Sequence, residues 1–61
     1  MILMKYVVEF KDDIYQETVE FHARTHDYLQ EKVKQWMEDD GRFVEGDVYS
    51  DAGRYLLTIY L

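Results

Sequence analysis

The stretch RTHDYLQEKVKQWMEDDG, residues 24–41, decides the fold. Leu29, Val33, Trp36 and Met37 recur at i, i+4, i+7 and i+8. That spacing gathers them into one apolar stripe of an amphipathic helix. Thr25 is placed to cap its N-terminus, and Asp27 falls in the first turn, where the helix dipole favours a carboxylate. If Asp27 is itself the cap, Gln30 completes a capping box. Gly41 supplies the left-handed residue that commonly ends a helix. The anomaly is the run Glu38, Asp39 and Asp40 just before it. The last turn carries the negative end of the dipole, which disfavours each carboxylate by a few tenths to about 1 kcal/mol.

Upstream, Ile2 to Phe10 alternates, with Met4, Tyr6, Val8 and Phe10 on one face and Lys5 and Glu9 on the other, the period of a strand. Asp12 and Asp13 interrupt it, and alternation resumes from Glu17 to Arg24 with Val19, Phe21 and Ala23 inward. The two runs read as a hairpin around KDDIYQ. Downstream, RFVEGDVYSDAGRYLLTIYL reads as strands at Phe43 to Tyr49 and Tyr55 to Leu61, joined by the turn SDAG. Val44 and Val48 share one phase while Phe43 and Tyr49 share the other, so a bulge is expected at Gly46. In the last strand Tyr55, Leu57 and Ile59 are expected inward. The result is one α+β domain over residues 1–61, in ββαββ order, with a four-stranded sheet and one helix packed on one face.

A single helix leaves the other face of the sheet uncovered. Leu3, Val7, Leu56 and Tyr60 are expected there, and contiguous apolar side chains on an open face mark a binding surface, most often for self-association. The six tyrosines fit both an interface and simple β propensity.

The chain is 48% apolar, 16% aromatic and free of cysteine, so its stability comes from packing or from a partner subunit rather than from disulfides or thiolate metal sites. The scattered apolar pattern provides no membrane span. MILM is too short for a signal peptide, and its charge, Lys5, lies on the wrong side. A reducing cytoplasmic setting is the expectation. Thirteen Asp and Glu against seven Lys and Arg give a net charge of -6, which argues against direct binding of nucleic acid and for a basic protein partner.

No catalytic constellation emerges. His22 and His26 straddle a strand-to-helix junction without a third ligand at useful spacing. An EF-hand register begun at Asp39 meets Gly41, Phe43 and Ser50 where ligands are required, and one begun at Asp40 meets Arg42. The three glycines are isolated, so no phosphate-binding loop forms, and no nucleophile and base pair can be named. Neither a metal nor a cofactor is expected.

Strand direction places the acids. If the first strand runs up, its turn with Asp12 and Asp13 lies at the top, Glu17 begins the descent, and the rising helix delivers Glu38, Asp39 and Asp40 to that same end, where Glu45 follows. Like charges so grouped repel, and such local rule-breaking is where functional sites are expected. The competing reading is a solvated end whose repulsion salt screens.

The segment VEFHARTHDYLQEKVKQWMEDDG, a strand ending in Ala, a short cap and an acidic-led helix, resembles the core of small phage-encoded proteins. These include an inhibitor of bacterial RNA polymerase and some anti-CRISPR proteins. The resemblance covers residues 4–61 as architecture. It implies a protein that blocks host machinery through a charged surface, sometimes by occupying a nucleic-acid groove, within the cytoplasm of a host cell. The expected function is therefore a noncatalytic module whose acidic pole of Asp12, Asp13, Glu17, Glu38, Asp39, Asp40 and Glu45 engages a basic surface of a nucleic-acid-handling complex. The alternative is a homodimeric structural or adaptor protein that buries its open sheet face.

Overall fold

The computed structural model describes residues 2–61. Strands β1 (Met4–Lys11) and β2 (Gln16–Ala23) precede helix α1 (His26–Asp40), and β3 (Glu45–Ser50) and β4 (Tyr55–Tyr60) follow it. The strands form one antiparallel sheet in the order β2-β1-β3-β4, so this is a ββαββ α+β domain as the periodicities require. The central pair is β1 and β3, and β2 and β4 are the edges.

Each boundary has a local cause. Asp12 closes the first hairpin by accepting the Ile14 and Tyr15 amides at 2.8 and 2.6 Å. These bonds, with Tyr15 first, hold its carboxyl below the usual carboxylate range. The Thr25 hydroxyl accepts the Tyr28 amide at 3.1 Å, which makes Thr25 the N-cap rather than Asp27. Gly41, at φ 82°, ends the helix and returns its N–H to the Met37 carbonyl at 2.9 Å.

The helix lays Leu29, Val33 and Met37 on Tyr6, Val8, Phe10, Phe21, Ala23, Val48 and Ile59. An aromatic stack forms within this core: Phe10 lies over Trp36 with centroids 4.3 Å apart and planes at 17°, and Phe43 is 5.7 Å from Phe10.

Three details of the second hairpin differ from the sequence expectation. Phe43 is 2% exposed and Val44 69% exposed. Phe43 precedes β3, so strand phase does not govern it, and its ring turns back beneath the helix end. Gly46 pairs regularly with Phe10 and Ile59, and the irregularity falls between Val48 and Tyr49 instead. Opposite that step β4 advances two residues, from Leu57 to Tyr55, which reverses the phase beyond it. Leu56 consequently packs against the core, whereas Tyr55 is exposed and its ring meets Tyr49 edge-on at 5.8 Å.

Candidate functional site

Helix, first hairpin and start of β3 do meet at one end, and Arg42 organises it. Its guanidinium donates to both Asp40 oxygens at 2.8 Å and also to Glu17, while it lies over the Tyr15 and Phe43 rings at 5.1 and 4.9 Å. Glu17 faces the helix side because it pairs with the inward Phe10. One cation thus joins β2, the hairpin turn and the helix C-terminus. Arg42 holds the Asp40 carboxyl below the usual carboxylate range, and Asp40, with Glu17, raises the arginine further. The anomaly of acids at a helix end is partly resolved, since Asp40 is a partner of Arg42 and Asp39 accepts from the Gln35 amide at 3.0 Å.

The seven carboxylates expected to form one acidic pole therefore divide by role. Asp12 is committed to its turn, Glu17 and Asp40 to Arg42, and Asp39 to Gln35. Asp13 and Glu38 are exposed. Glu45 is at the same end but on the opposite side of the sheet, as its pairing with Tyr60 places it.

On that open face the register assembles an acidic cluster that sequence patterning did not single out. Glu9 and Asp47 are direct cross-strand partners on the two central strands. Together with Lys11, Glu45 and Tyr49 they line a shallow depression of about 190 Å³. Like charges directly opposite one another destabilise a sheet. Asp47 accepts the Thr58 hydroxyl at 2.7 Å, so Tyr55, 2.7 Å from that same oxygen, must donate to it. Burial first, then Glu9 and Asp47, raises the Tyr49 phenol. Lower on the face Lys5 reaches Asp51 and Glu20 at 3.3 and 3.4 Å, and these carboxylates, Asp51 first, raise its pKa. The available signal was the outward phase of Glu9 and Asp47, but only the pairing of Phe10 with Gly46 aligns the two.

The expected self-association face is not continuous. Leu56 belongs to the core side, and Leu3 joins it, with Tyr6 and His26, in lining a groove of about 540 Å³. Val7 and Tyr60 do lie on the open face, since their partners are Tyr49 and Glu45, but the Glu9–Asp47 and Asp47–Thr58 pairs separate them. His22, with Nε2 3.8 Å from Glu20, and His26, edge-on to Tyr6 at 5.9 Å, are well apart in role. Among the described residues no group of three or more His, Cys, Asp or Glu is placed to hold a metal ion, and no helix is long and apolar enough to cross a membrane.

Comparison of the chain with protein-family models, with curated proteins and with solved structures returns no match.

Proposed function

We propose that this chain is a small noncatalytic protein-binding module that engages a basic surface of a nucleic-acid-handling complex, in the manner of a phage-encoded inhibitor. The observation that carries the reading is the Glu9–Asp47 pairing on the central strands, with Glu45 in the same depression. Two acidic residues on directly paired positions lower stability when the protein is alone, and a cationic partner relieves that repulsion. Tyr49, Tyr55 and Tyr60 beside them offer large contact area and ring faces for lysine and arginine. Asp13 and Glu38 extend the negative surface around the end of the sheet, while Glu17 and Asp40 act as its internal support through Arg42. The binding surface is thus centred on the open face and reaches the pole at its upper edge. Self-association through the open face is less well supported, because a two-fold contact there would oppose acidic clusters to one another.

The test is capture of host proteins by the tagged chain at low and high salt, beside a Glu9→Gln, Asp47→Asn double variant. Recovery of a nucleic-acid-binding complex that fails at high salt and with the variant supports the proposal. Capture indifferent to both overturns it.

A further inference from the structure

The two edges of the sheet are not equally protected. Edge strands are normally guarded by charge, by a bulge or by a covering element, because their free backbone groups template another strand. At β2 charge supplies the guard: Glu17 points inward to Arg42, Glu20 and His22 face outward, and the Lys32 ammonium of the helix donates to the His22 carbonyl at 2.6 Å. By contrast β4, YLLTIY, contains no charged residue, and its one irregularity, at Leu56, leaves the stretch from Leu57 to Tyr60 in regular pairing.

Its free groups can be named. The Leu61 amide donates to the Val44 carbonyl at 2.8 Å, so the pair beside it, Glu45 and Tyr60, is a non-hydrogen-bonded pair, as is Asp47 with Thr58 two residues on. The backbone N–H and C=O of Thr58 and Tyr60 therefore point away from β3 to the outer edge.

We infer that the outer edge of β4 is a strand-addition site for an extended segment of the basic partner in which basic and apolar residues alternate. This rests on the function proposed above and names how that partner is held. A strand laid beside Thr58 and Tyr60 continues both faces of the sheet. On the open side its side chains flank Tyr55, Thr58 and Tyr60, one strand from Asp47 and Glu45, so cations are favoured there. On the helix side they extend the partly buried Leu56 and Leu57, so apolar residues are favoured. Arg54 precedes β4 and Glu45 adjoins its far end, so the basic residues gather toward Tyr60.

The probe is a blocked peptide of alternating arginine and valine, compared with the same residues arranged in two blocks and titrated by amide NMR. The alternating peptide is expected to bind about tenfold more tightly and to slow hydrogen exchange at the Thr58 and Tyr60 amides. Thr58→Pro and Tyr60→Pro each remove one outward N–H while leaving the backbone bonds to β3 in place, and each should abolish that preference; Thr58→Pro also removes the hydroxyl bond to Asp47, which Tyr60→Pro keeps. The β3 amides report whether either variant keeps its sheet, and one folded variant suffices. Binding that falls with salt yet ignores both order and proline overturns edge addition and leaves the charge-based function standing. Failure of both peptides, together with salt-indifferent capture of host proteins, overturns both. Edge amides protected without peptide, at twice the chain mass, assign the edge to a second copy and also overturn the inference.

Discussion

Gly46 lies directly against the Phe10 ring: a Cβ at Gly46 would stand 2.7 Å from Phe10 Cε1 and 2.9 Å from Val8 Cγ1. Phe10 cannot retreat, since Trp36 is stacked over it and Val8 beside it is fully buried. The glycine is required for space, at a site where its backbone is ordinary extended strand. Gly46→Ala should therefore cost about 1–3 kcal/mol through overpacking. Urea unfolding followed by Trp36 fluorescence measures this, and an altered native emission should accompany the shift. A variant as stable as the parent would mean that the ring stack yields easily.

Neighbouring acids at the helix end should respond in opposite directions. Asp40 is held by Arg42, so Asp40→Asn removes the charge that the guanidinium grips and lowers the melting temperature. Glu38 is exposed in the same last turn, where no basic residue offsets the unfavourable dipole end, so Glu38→Gln raises it slightly. Thermal unfolding of the two variants at low salt checks the contrast. The same sign for both would show that Arg42 does not discriminate between these positions.

The same arrangement sets an acid limit. Asp40 and Asp12 have folded pKa values below their ordinary 3.8. A lowered folded pKa contributes stability that is present above the unfolded value and is lost as pH falls through the folded one. The difference in stability between the parent and Arg42→Gln should thus be constant near neutrality and shrink as pH drops below 3.8. The Asp12 contribution rests on the Tyr15 and Ile14 amides and should persist in the variant. A difference that grows on acidification would contradict this assignment.

How far the sequence carries can be read from particular residues. Leu29, Val33 and Met37, the Thr25 cap and Gly41 all occupy the roles that helical spacing and cap chemistry give them, because those signals are local. So does the inward set Tyr6, Val8 and Phe10. Leu56 and Tyr55 exchange faces because one residue inserted in β4 inverts the phase on its N-terminal side while Leu57 and Ile59 keep theirs, and nothing in YLLTIY marks where the insertion falls. Phe43 escapes a strand argument because it is in the loop. The bond from Arg42 to Glu17 spans 25 residues and the Glu9–Asp47 pairing is set between strands, so no local pattern encodes either.

The Glu9–Asp47 juxtaposition predicts a trade between stability and binding. Glu9→Gln removes one of two like charges on directly paired positions and should stabilise the free protein by about 0.5 kcal/mol, a rise of about 3 °C in melting temperature for a domain of this size. Asp47 keeps its bond from Thr58, so the local geometry is retained. High salt should diminish the gain by screening the repulsion that the substitution relieves. The same variant should bind a basic partner more weakly at low salt, chiefly through slower association. Differential scanning calorimetry at two salt concentrations, with association kinetics for the captured partner, measures both halves. A destabilised Glu9→Gln protein would show that Lys11 already neutralises the depression, and the electrostatic basis for binding at this face would fall with it.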